Sequence, residues 1–112
     1  MKALVLDINE WETAKGMNLT DVPEPELDET RCPADSNKCI IKPLYTGFCG
    51  SDKSIWFRHA FEEMIFDSLN QENKDYRICG HELLGEIIEA GSYSQNHYGY
   101  KPGDIVSTES HI

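Results

Sequence analysis

The sequence predicts a mainly β, barrel-like domain with one helix inserted around residues 55–69. Three observations lead there. Apolar runs of strand length recur along the chain, bounded by Gly, Pro, Asn and Asp turn signals. Phe57, Phe61, Met64, Ile65 and Leu69 follow helical spacing, with Glu62, Glu63 and Asp67 between them. No long βαβ pattern, internal repeat or low-complexity tract competes with this reading.

Ala3 to Leu6 is an apolar run that opens a sheet. Asp7 to Gly16 is polar and turn-rich, with Trp11 expected as a lid over the edge of the core. Met17 to Val22 alternates as a strand does. Pro23 and Pro25 then force an extended connection with few ladder bonds. The acidic run of Asp21, Glu24, Glu26, Asp28 and Glu29 reads as a solvated loop, because it lacks the spacing of a calcium loop. Lys38 to Tyr45 is the best strand, and Pro43 marks it as an edge or a bulge. Gly47 and Gly50 bracket Cys49 on a tight turn, after which Ser51 or Asp52 can cap a helix. A helix is predicted within Ile55–Leu69, and Gln71 to Arg77 reads as a polar loop. Glu82 to Ala90 is a second long strand, in which Gly85 signals a bulge or a close backbone approach. Ser92 to Tyr100 reads as a loop, Pro102-Gly103-Asp104 as a turn, and Ile105-Val106 as the start of a last strand.

A chain of 112 residues suits one domain, residues 1–112, with a modest core. Its net charge of −10 argues against a nucleic-acid partner or an anionic membrane surface. No stretch approaches the length of a membrane span, and Met1-Lys2 leads into a strand rather than a signal peptide. The spacing of the four cysteines shows no secreted disulfide framework, so reduced thiols in a cytoplasm are expected.

Cys49, His81 and Glu82 offer a thiolate, an imidazole and a carboxylate, the three donor types zinc accepts in mixed sites. His81 and Glu82 are adjacent and cannot point the same way from a regular strand, but Gly80 permits a turn before them. Cys49 lies 32 positions before His81 and must be brought in by the fold. Read alone, the three are more readily a buried cysteine and an unrelated histidine on a turn. Their setting adds information. GFCGSD, then GHELLGEIIEAG, then YKPGDIVS, in this order, resembles the zinc-dependent medium-chain alcohol dehydrogenases. The opening KALVL and the segment Leu19–Leu27 are similar to that family's first strands. The resemblance implies the irregular barrel shared with GroES-like co-chaperonins.

It also implies a chemistry. Cys49, His81 and Glu82 would be the metal residues, with zinc the metal and Glu82 either a ligand or a nearby carboxylate that exchanges with water. Ser51 matches the hydroxyl that takes the substrate proton and passes it to solvent, and Asp52 the carboxylate that orients a ligating imidazole. A plain helix cap is the alternative for both. The implied substrate is a small alcohol, polyol or sugar, oxidised to a carbonyl with NAD or NADP, and the full-length protein would be a homo-oligomer.

Two features depart from the pattern. Ser54 stands where many relatives carry a histidine that ends the proton relay, and His59 is expected to be a surface residue rather than its substitute. The stretch from Lys53 to Cys79 is longer than in typical alcohol dehydrogenases, which resembles the glucose-dehydrogenase branch. The ending Val106–Ile112 instead resembles the threonine and polyol branch. Cys79 could share a metal with His81, but a thiol filling an aliphatic slot is the expected role. The chain has no G-x-G-x-x-G and no four-cysteine loop, so it reads as an N-terminal catalytic fragment, inactive alone and without its own nicotinamide site. A co-chaperonin-like module without enzymatic function is the competing reading. It has no use for metal ligands. A zinc-free quinone or enoyl reductase would lack the Cys/His pair.

Overall fold

A computed structural model gives the structure of residues 1–108. The chain divides into two compact units, Met1–Pro23 with Phe48–Gly80, and Glu24–Gly47 with the chain from His81 onward. The last four residues of the Val106–Ile112 ending lie outside the described residues.

The first unit is built on β1 (Lys2–Asp7), which pairs antiparallel with β2 (Asn18–Asp21) on one side and β4 (Tyr76–Ile78) on the other. Ala3 and Val5 bury one face of β1 with Val22, while Leu4 between them is exposed, the period-two pattern of a half-buried strand. Leu6 faces a second core made with Trp11, Ile65 and Leu69. Trp11 is a core member rather than a rim lid, and its ring packs edge-to-face with that of Phe66, centroids 5.5 Å apart.

The single helix predicted within Ile55–Leu69 is instead two: α1 (Gly50–Trp56) and α2 (Glu62–Glu72). Arg58 and Phe61 between them take positive φ angles of 60° and 72°, which no continuing right-handed helix allows. Ile65 and Leu69, one turn apart on α2, are the buried members of the predicted stripe. Phe57 and Phe61, which cap the two helices at the break, are exposed, as is Met64 on α2. The segment 71–77 is only partly loop, since α2 runs to Glu72 and β4 begins at Tyr76.

The second unit holds another three-stranded antiparallel sheet, in the order β3 (Cys39–Gly47), β5 (Glu82–Ala90), β6 (Ile105–Ser107). β3 is an edge strand whose register shifts between Pro43 and Tyr45, as a proline in a ladder requires. Gly85 is the expected close approach: a Cβ there would run into Ile41 and the Lys42 carbonyl. The segment 92–100 is not all loop, because Ser92–Tyr98 forms α3, ended by Gly99 at φ 72°. A 3-10 turn at Pro33–Asn37 lies against α3. Within that turn the Asp35 carboxylate accepts from the Asp28 amide at 3.0 Å and from Lys38 Nζ at 2.8 Å. The Asp28 amide bond, and then the Lys38 bond, hold the Asp35 carboxyl below its ordinary pKa.

The described part is therefore mixed, with two antiparallel sheets and three α-helices, where a mainly β chain with one helix was expected. Among the described residues no helix is long and apolar enough to cross a membrane.

Candidate metal centre

Cys49 is the last extended residue before α1, with φ −104° and ψ −178°. Asp52, at the third position of the helix and 2% exposed, accepts the Cys49 amide through Oδ2 at 3.0 Å. This is one half of a capping box, and it fixes the angle at which the chain enters the helix. The negative carboxylate also suits the positive end of the helix dipole. Ser51 points its hydroxyl back along the same turn, with Oγ 2.8 Å from Cys49 Sγ. Three of the predicted site residues, Cys49, Ser51 and Asp52, are thus held together by one helix start. The helix-cap reading of Asp52 holds.

In the second unit, His81 follows Gly80, which takes a positive φ of 99° as a glycine can. Glu82 then opens β5 opposite Gly47, the last residue of β3. The Glu82 carboxylate lies across Gly47, occupying the space a Cβ there would need. The His81 carbonyl accepts the Thr108 hydroxyl at 2.8 Å, and that hydroxyl oxygen accepts the Leu83 amide at 3.3 Å. The Thr108 amide donates to the Leu83 carbonyl at 3.1 Å. Thr108 therefore pins the backbone on both sides of Glu82. Sequence reasoning missed it, since a hydroxyl bonded to backbone has no motif. Gly47 had been read only as a turn residue, not as the floor under a carboxylate.

The profile of the alcohol dehydrogenase GroES-like domain family matches residues 35–111, more than half of the chain. The chain belongs to that family. The match places it among the medium-chain dehydrogenases, as the GFCGSD and GHELLGEIIEAG motifs implied. Among curated proteins it is similar to the L-threonine 3-dehydrogenases of Streptomyces avermitilis, 35% identical over 117 residues, and of Cronobacter sakazakii, 34% over 113. That of Paraburkholderia phytofirmans is 35% identical over 113 residues. Each alignment takes in the whole of this chain, which spans about a quarter of those relatives' length (27%, 27% and 26%).

Two further residues of this GroES-like domain fall where the bland expectation put them. His59 is exposed and stacks on Phe57 with ring centroids 5.8 Å apart. Cys79 packs against the Leu6–Trp11–Ile65–Leu69 core, with Sγ 3.7 Å from the Arg77 carbonyl. Burial first, and the nearby negative charge of Asp52 second, push the Cys79 thiol above its ordinary pKa. A thiol that stays protonated is a poor nucleophile. Iodoacetamide at mildly alkaline pH is therefore expected to alkylate the exposed Cys32 at least about tenfold faster than Cys79. The Cys79 rate should climb only as pH rises towards its raised pKa. Peptide mass spectrometry over a time course reads both rates, and equal rates would contradict the packing of the half-buried Cys79 against the core.

Proposed function

We propose that this chain is the catalytic-domain portion of a zinc-dependent dehydrogenase that oxidises a hydroxyl to a carbonyl. In this reading Cys49, His81 and Glu82 hold the zinc. The observation that carries it is the family match over residues 35–111, which takes in all three residues. The donor set suits the metal: a thiolate, an imidazole and a carboxylate are zinc donors, and three protein ligands leave the open position a catalytic zinc needs. The names of the relatives favour the threonine and polyol branch over the glucose branch, so the proposed substrate is a small hydroxy compound of the threonine or polyol class. The irregular GroES-like barrel belongs to the same reading.

Zinc, when bound, would polarise the substrate hydroxyl and make its proton acidic near neutral pH. The residues of this chain then have distinct tasks. Ser51 takes that proton through Oγ and passes it to solvent. Asp52 holds the Cys49 amide, as its 3.0 Å bond allows, and orients the His81 imidazole. Gly47 leaves the Glu82 carboxylate its place, and Thr108 steadies the backbone from His81 to Leu83. NAD or NADP is the proposed hydride acceptor. The 112 residues include no Gly-rich phosphate turn, so its binding is assigned to none of them. The non-enzymatic alternative, a co-chaperonin-like module, gives Cys49, His81 and Glu82 no joint task.

Ser51→Ala tests the reading in the complete protein. Turnover should fall by about 10²-fold or more while zinc content is unchanged, because the variant loses a proton path and no ligand. The comparison is made where a deuterated substrate shows that hydride transfer limits the rate. Normal turnover under that condition would remove Ser51 from the relay.

A further inference from the structure

The turn between α1 and α2 holds a residue whose conformation its local sequence does not favour. Arg58 sits at φ 60°, a region that side-chain-bearing residues avoid unless their surroundings hold them there. Its guanidinium meets carbonyls: Nη1 donates to Ile55 O at 2.7 Å and reaches Trp56 O at 3.3 Å, and Nη2 donates to Gly16 O at 2.9 Å. Cζ lies 5.0 Å from the Trp11 ring centroid, a cation over an aromatic face. Nε is buried with no hydrogen-bond partner. A strained backbone and an unpaired buried N–H both oppose this placement, so the carbonyl contacts and the ring must hold it.

Those contacts share one target. The last carbonyls of an α-helix have no partner within the helix, and Arg58 takes two of them at the end of α1. It then ties them to the Gly16 turn. That turn returns a second bond, from the Gly16 amide to Trp56 O at 2.9 Å. Gly16 itself, at φ 90°, lies so close to the Trp56 ring that a Cβ would stand 3.1 Å from Cζ2. The C-terminal end of α1 is therefore fastened to the N-terminal segment of the chain by a guanidinium, an amide and an indole.

We propose that Arg58 is a positioning residue for the metal centre: by anchoring the far end of α1 it fixes the direction in which the helix start presents Cys49 and Ser51. This rests on the zinc dehydrogenase reading above. α1 has seven residues, and at 1.5 Å per residue it is a rod of about 10 Å. Over so short a rod, slack at one end becomes misplacement at the other. Arg58 touches neither metal nor substrate and acts only through the helix.

The test uses Arg58→Met, which keeps the stem and removes the donors, and Arg58→Gly, which also relieves the positive φ. The second variant keeps the experiment decisive if the first does not fold. In the complete protein, with cobalt replacing zinc, each variant should bind one equivalent of metal yet show an altered thiolate-to-cobalt absorption band. Turnover should fall about 10- to 100-fold, the scale of a small misplacement at a reacting centre. Amides of residues 53–56, the ones bonded within α1, should exchange hydrogen at least about tenfold faster, while those of β1 keep wild-type protection. A purely structural role would instead loosen β1 and α1 together and leave the cobalt band of the folded fraction unchanged, which overturns the proposal. Wild-type exchange in α1 would overturn it as well. If the wild-type protein binds no cobalt, the zinc reading fails, and hydrogen exchange alone still decides whether Arg58 anchors the helix.

Discussion

Cys49→Ala is expected to leave the complete protein without zinc and without measurable turnover. The variant removes one of the three proposed donors, leaving an imidazole and a carboxylate that offer zinc no thiolate. Loss of a residue that merely orients a ligand costs about 10- to 100-fold in metal affinity or activity, and loss of the ligand itself must exceed that. The fold should survive, because Leu6, Trp11, Ile65 and Leu69 form an apolar core to which Cys49 does not belong. Metal analysis after gel filtration, with a thermal melt beside it, separates the two effects. A variant that keeps stoichiometric zinc would show that Cys49 is not a ligand. Asp52→Asn offers a graded comparison. It weakens the bond to the Cys49 amide but removes no proposed donor, so its loss should fall within the 10- to 100-fold range.

Leu69→Ala should be a strongly damaging change to the first unit. Leu69 is fully buried on α2, and large-to-small changes at such sites cost about 2–5 kcal/mol. The cost combines the lost transfer energy of the side chain with the cavity left among Leu6, Trp11 and Ile65. Met64→Ala, on the exposed side of the same helix, should stay within about 0.5 kcal/mol. Urea titration of the two variants checks the contrast. Equal midpoints would mean that α2 does not carry the core.

The two variants draw on different kinds of legibility. Glu82–Ala90 could be read to the residue as a strand, because its apolar positions are closed by a glycine and led in by Gly80-His81. The candidate ligands stood out because they lie in glycine-punctuated motifs, in which Gly80 takes a φ of 99° and Gly47 lies under the Glu82 carboxylate. α3 was not readable: its residues Ser92–Tyr98 carry no apolar stripe, and its one overlooked signal was Gly99, a left-handed stop. The break between α1 and α2 was hidden for a related reason. It is made by Arg58 and Phe61 at positive φ, where a glycine would have announced it. The helical period of Phe57, Phe61, Ile65 and Leu69 then ran through the gap as if it were absent. Arg58 and Thr108 escaped because both act on backbone carbonyls, which leave no trace in the order of side chains.

The placement of the aromatic residues has a practical consequence for spectroscopy. The chain has two tryptophans, Trp11 and Trp56, and both belong to the first unit, one beneath the Arg58 guanidinium and the other against Gly16. Indole emission therefore follows the first unit alone. Tyr45, Tyr93, Tyr98 and Tyr100 belong to the second, so tyrosine absorbance is weighted towards it. A denaturation curve followed by indole emission and by tyrosine absorbance therefore compares the two halves in one cuvette, without a label. Superimposed curves would mean that the halves melt as one cooperative body, and displaced curves that one outlives the other.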